Sequence, residues 1–232
     1  MSDRAYQHGV VLLFAVAAIL YCGIPLEAAM GFPLNPADSY QSELAARDQP
    51  FGLVFRLGDA LAATMVLVGT LLILRRFALR GLLHASALGL VVFGVGTIAD
   101  TTFSMECASS ASEACARADA LGQLGLAHQI HTVTSVVALA GVIVSLLLLV
   151  TRILRAPSGS RPRGSAITVL GAALIVVASA AISAAALWGS PTGSLAEGFG
   201  YVQRFQTLMI SVYILGAPYL LAQFSGRREA QS

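Results

Sequence analysis

Six long apolar runs alternate with hydrophilic segments along the 232-residue chain. They are Val10–Leu26, Leu53–Leu74, Leu82–Ile98, Ile130–Val150, Ala166–Trp188 and Val202–Phe224, each near the ~20 residues that carry a helix across ~30 Å of hydrocarbon. The pattern predicts an all-α fold, a bundle of six transmembrane helices in which residues 1–232 form a single six-span membrane domain. Pro25 is expected to end the first helix and Pro218 to kink the sixth. The fifth run is nearly all small residues around Gly171, Ala172 and Ala184, with Ser179 and Ser183 one turn apart, and is expected at the centre of the bundle.

Charge gives the runs a direction. Every cation is arginine: residues 4, 75, 76, 80, 152, 155, 161, 163, 227 and 228 fall in the first, third, fifth and last hydrophilic segments, and Arg47, Arg56, Arg117 and Arg204 in the others. The first set is expected in the cytoplasm, with both termini. Asp3 and Glu229 share that side, whereas Glu27, Asp38, Glu43, Asp48, Asp59, Asp100, Glu106, Glu113, Asp119 and Glu197 lie outside or at the outer ends of spans. With 56% hydrophobic and 11% charged residues, against about 25% charged in soluble domains, the chain reads as a multi-pass plasma-membrane protein. Its net charge of +2 is the orientation signal and does not suggest nucleic-acid binding. Tyr21 before Cys22 is too bulky for a lipoprotein cleavage site, so the first helix is expected to be retained.

Cys107 and Cys115 share one outer loop, where an oxidising compartment lets them close a disulfide. Zinc pairs usually have two to four intervening residues and here there are seven, so the disulfide is preferred to metal ligation. The outer connections, 27–52, 99–129 and 189–201, are longer than the cytoplasmic ones, and function more often lives in such loops. In the first, Asp38 or Ser39 is expected to cap a short helix running to Ala46.

Ionisable groups recur at the outer ends of the spans. Arg56 opens the second run, His128 and His131 the fourth and Arg204 the sixth, while Asp59 follows Arg56 by three residues and Asp100 ends the third. Helical spacing puts Arg56 with Asp59, and His128 with His131, on common faces. One account is interfacial snorkelling and a simple Arg56–Asp59 ion pair. Another is a single ligand-binding site of Arg56, Asp59, Asp100, His128, His131 and Arg204, with the arginines gripping the anionic head of a lipid-like amphiphile. A different class of reading is a metal-dependent membrane hydrolase in which His128, His131, Asp59 and Asp100 are catalytic and hold zinc. Ser135, one turn past His131, is a weaker nucleophile candidate, because serines inside helices tend to bond back to a carbonyl. A small transporter through the same ring is disfavoured by the scarcity of charge deeper in the spans, where His84 is the main exception. The amphiphile reading leads; it requires no cofactor and names membrane lipids as partners.

Ser39-Tyr40-Gln41-Ser42-Glu43-Leu44, Phe55-Arg56-Leu57-Gly58-Asp59, Asp100 through Met105-Glu106-Cys107, Cys115, and His128-Gln129-Ile130-His131-Thr132 together resemble an uncharacterised multi-span bacterial membrane family, domain of unknown function 998, in an actinobacterial form. The resemblance covers nearly the whole chain and implies a bacterial plasma membrane but no activity. A looser likeness in layout to eukaryotic six-span proteins that remodel lipid anchors favours a lipid-related role by analogy.

Overall fold

The computed structural model describes residues 3–161, 163–188 and 198–224, and these contain eight α-helices. Six are long: α1 (Asp3–Cys22), α3 (Gly52–Arg76), α4 (Leu82–Thr102), α6 (Leu126–Leu154), α7 (Ser165–Trp188) and α8 (Phe199–Phe224). Two are short, α2 (Ile24–Ala29) and α5 (Glu113–Ala120). Among the described residues, α3, α4, α6, α7 and α8 are long and apolar enough to cross a membrane, while the apolar stretch of α1, Tyr6–Cys22, is shorter. The chain is therefore a multi-span helical membrane protein with five such helices and a shorter apolar one, where six full spans were expected. Glu197 and the tail residues Arg227, Arg228 and Glu229, all used above to orient the chain, lie outside the described residues.

The expected first span is divided. Helix α1 stops at Cys22, Gly23 turns left-handed at φ 65°, and Pro25 sits in the first turn of α2. Proline has no N–H and crowds the preceding turn, so it starts a helix more readily than it continues one. Gln41 Nε2 then donates to the Cys22 carbonyl at 2.7 Å, satisfying an acceptor left open at the end of α1. Helix α8, in contrast, is assigned unbroken through Pro218.

The long helices form a closed ring in the order α1, α3, α4, α6, α7, α8, with α8 also touching α3, α4 and α6. Lipid tails are as apolar as leucine, so close backbone approach and interhelical hydrogen bonds hold such a ring together. Both concentrate where α4 meets α6. A Cβ on Gly89 would lie 2.8 Å from the Gly141 carbonyl oxygen, and one on Gly96 2.9 Å from the Ala138 nitrogen. One turn away, the Ser86 hydroxyl donates to the Ser145 carbonyl at 2.9 Å and the Ser145 hydroxyl to that of Ser86 at 2.7 Å, with Tyr213 Oη of α8 2.6 Å from Ser145 Oγ. Expected at the centre, the alanine-rich α7 instead lies at the periphery against α6 and α8, with 17% of its apolar stretch buried against 50% for α4. Its small residues face open space more than other helices; Gly171 has nothing within 4 Å of an added Cβ.

At one end, here called the loop end, the first two long connections pack on each other over Leu34, Leu44, Phe55, Met105 and Ala108. The Arg47 N–H donates to the Met105 carbonyl at 3.0 Å, and the Ala108 N–H to Asp48 at 3.2 Å. Cys107 and Cys115 are disulfide-bonded, their Cα atoms 6.2 Å apart. The expected capped helix before Ala46 is a 3₁₀ turn, Gln41–Ala45, entered from extended Tyr40 without a side-chain cap. The Ser39 hydroxyl donates to the Asn35 carbonyl at 2.7 Å and is not free to cap.

Glu43, 2% exposed, accepts from the N–H and hydroxyl of Ser110 and so fastens the disulfide loop to the first connection. Burial pushes its carboxyl above the ordinary glutamate range, partly offset by the Ser110 hydrogen bonds. The fold thus keeps this proton at pH values where the unfolded chain has lost it. The contribution is complete below the unfolded pKa and is lost as pH rises through the folded one. Relative to Glu43→Gln, the wild-type melting temperature is expected to fall as pH rises above the ordinary glutamate range; a difference that stays constant with pH there would refute the buried proton.

Candidate functional site

Arg204, in the first turns of α8, is 5% exposed and points under the first connection. Its Nε and Nη2 donate to Glu27 Oε2 and Oε1 at 2.9 and 2.5 Å. Nη1 donates to the carbonyls of Pro36, Ser39 and Gly200 at 3.0, 2.8 and 3.2 Å, and Nη2 also reaches Ser39 Oγ at 3.3 Å. Glu27 itself is 0% exposed. The planar guanidinium matches a carboxylate with two parallel bonds, and here its remaining donors are taken by backbone oxygens. Arg204 is a clamp joining α2, the first connection and α8.

Arg56 is engaged differently from the expected pair with Asp59. Its Nη1 donates to the Ala45 carbonyl at 2.6 Å, and no Arg56–Asp59 ion pair is present among the described residues. The 3₁₀ turn ending at Ala45 leaves carbonyls without helical partners, and the guanidinium supplies a donor there.

The two histidines share a face of α6 but serve different carboxylates. His128 Nε2 lies 3.3 Å from Asp119 Oδ1 on α5, while its Nδ1 accepts the Glu106 N–H at 3.4 Å, which assigns the proton to Nε2. His131 Nδ1 lies 3.1 Å from Asp100 Oδ1. That same oxygen accepts from Ser135 Oγ at 2.6 Å and Thr134 Oγ1 at 3.1 Å. The Ser135 hydroxyl is 3.5 Å from His131 Nε2 and donates to Asp100, an arrangement of a structural hydroxyl more than of a nucleophile. Among the described residues, no group of three or more His, Cys, Asp or Glu side chains is placed to hold a metal ion.

Asp59 lies near Asp100, and Tyr21 of α1 lies near both. Of the six candidate residues, Asp100 and His131 are in direct contact, and no hydrogen bond or ion pair among the described residues joins Asp59 to them. His128, Arg56 and Arg204 are fixed separately by Asp119, Ala45 and Glu27.

Asp59 lines a cavity of ≈ 320 Å³ between α1–α2 and α3, walled by Ile19, Leu20, Pro25, Leu26 and Phe55. Among the described residues its carboxylate has no hydrogen bond or ion pair. Gln41 lines the same cavity. Its Nε2 is committed to Cys22, and its buried Oε1 has no partner. Asp59 is therefore an unpartnered carboxylate on the wall of an apolar chamber, and the partnerless Gln41 oxygen is buried beside it. Sequence reasoning missed Gln41, Glu27 and Tyr21. The available signal was that Glu27 and Tyr21 are polar groups within or just beyond an apolar run, each requiring a buried partner.

Neither a curated protein nor a solved structure matches this chain. A family signature matches residues 13–217, spanning the ring of helices, the clamp and the chamber. The chain belongs to the DUF998 family, proteins of unknown function.

Proposed function

We propose that this protein binds an amphiphile whose head carries an amine, seated beside Asp59 with its tail leaving between α1 and α3 into the bilayer. The reading is carried by Asp59, a carboxylate on the wall of an apolar-lined cavity with no hydrogen bond or ion pair among the described residues. A carboxylate at span depth without a partner is destabilised by several kcal/mol, and an ammonium supplies both charge and donors. The anionic head suggested by Arg56 and Arg204 is less well served, since Arg204 is engaged by Glu27 and loop carbonyls and Arg56 by Ala45. The arginine distribution supports a cytoplasmic arginine end, so the chamber opens toward the outer leaflet.

The test is lipid capture from nanodiscs mixing phosphatidylethanolamine, phosphatidylcholine and phosphatidylglycerol, followed by mass spectrometry of lipids retained on the full chain. Wild type is expected to enrich phosphatidylethanolamine, and Asp59→Asn to lose roughly tenfold of that enrichment, as for a hydrogen bond to a charged group. Equal retention by a folded Asp59→Asn protein, or no preference in wild type, refutes the proposal.

A further inference from the structure

A second cavity lies toward the opposite end, between α6, α7 and α8, with a volume of ≈ 370 Å³. Arg163 and Gly164 stand at one end of it; Ile167, Leu174, Met209 and Val212 are among its apolar walls. On α7 the lining runs from Ile167 to Ile175 and on α8 from Met209 to Leu220, about nine and twelve residues. At 1.5 Å per residue this is roughly 14–18 Å, about half of a ~30 Å hydrocarbon core and thus near the depth of one leaflet.

Two glycines on facing helices keep the groove open. A Cβ on Gly171 or on Gly216 would meet nothing within 4 Å, whereas Gly89 and Gly141 are needed for close contact between α4 and α6. Glycine disfavours a helix interior, and at Gly171 and Gly216 no neighbouring backbone requires it. The polar end has an available cation. Arg152 lies over the Phe224 ring at 4.5 Å, and Arg161 donates to the Ala156 and Leu154 carbonyls at 3.2 and 3.3 Å. Arg163 is exposed and has no hydrogen bond or ion pair among the described residues.

We infer that this groove holds one acyl chain of an anionic phospholipid from the leaflet at the arginine end, with the head-group phosphate on Arg163. Charge complementarity selects the head, and the one-leaflet depth selects a chain that enters from that surface. The site is independent of the Asp59 chamber, which lies at the loop end and lacks an arginine.

Phosphatidylglycerol carrying a diazirine on one acyl chain, incorporated in phosphatidylcholine vesicles with the full-length protein, provides the probe. Photolysis and peptide mapping are expected to concentrate adducts on residues 167–174 and 209–216, displaced by unlabelled phosphatidylglycerol and not by phosphatidylcholine. Arg163→Gln, an exposed change that leaves the helices intact, is expected to reduce labelling about fivefold, the effect of one cation near an anionic surface. Gly171→Leu should abolish it by filling the groove. Adducts spread evenly over the lipid-facing sides of α3, α4 and α6 would identify ordinary boundary lipid and overturn the site. Equal displacement by both lipids, or unchanged labelling in Arg163→Gln, would remove the head-group assignment and with it the proposal. Because Asp59→Asn leaves this end untouched, failure of either site is distinguishable from failure of the other.

Discussion

Replacing Arg204 by alanine is expected to lower the unfolding free energy by about 3–5 kcal/mol, the range for removing one partner of a buried ion pair. The substitution strands Glu27 at 0% exposure and leaves the Pro36 and Ser39 carbonyls without this donor. Arg204→Lys should rescue little, because an ammonium cannot make two parallel bonds to Glu27 while reaching loop carbonyls on the other side. Glu27→Gln together with Arg204→Met should be milder than Arg204→Ala, since no charge is then left buried alone. Thermal unfolding of the three variants in one detergent decides the matter; equal melting of Arg204→Ala and wild type would show that the clamp contributes nothing.

Gly141→Ala is expected to destabilise by about 1–3 kcal/mol, as for overpacking in a closely fitted interior. Its Cβ would stand 2.7 Å from the Phe93 nitrogen and 2.9 Å from the Gly89 carbonyl oxygen, and backbone does not yield as a side-chain tip would. Gly171→Ala supplies the internal control. It adds the same methyl where nothing lies within 4 Å, so it should be neutral or stabilising by up to about 1 kcal/mol through helix propensity. If the two variants melted alike, the close approach of α4 and α6 would not be what holds the ring together.

The positions of the long helices could be read directly, because hydrocarbon excludes charge and the arginines of the connections mark where each run stops. The disulfide was legible for a similar local reason, two cysteines in one short loop. Contacts between distant elements were not. Arg204 and Glu27 are 177 positions apart, and their meeting depends on α1 lying between α3 and α8. Composition also misplaced the tight helix pair: alanine in α7 and glycine in α4 and α6 both read as small, yet only the glycines let backbone touch backbone. The i, i+3 spacing of Arg56 and Asp59 was real, but the open Ala45 carbonyl, created by a turn the sequence did not announce, takes the arginine instead.

The ring has an order of completion during biosynthesis. Its first helix and its last are neighbours, so α1 has α3 beside it early but no α8 until the ribosome has nearly finished. At ~5–20 residues per second, the 177 residues between Glu27 and Arg204 take roughly 9–35 s to make. Throughout that interval the Glu27 carboxylate has no Arg204, and the side of α1 that will meet α8 stays open. Arrival of the last helix therefore converts an open crescent into a closed ring.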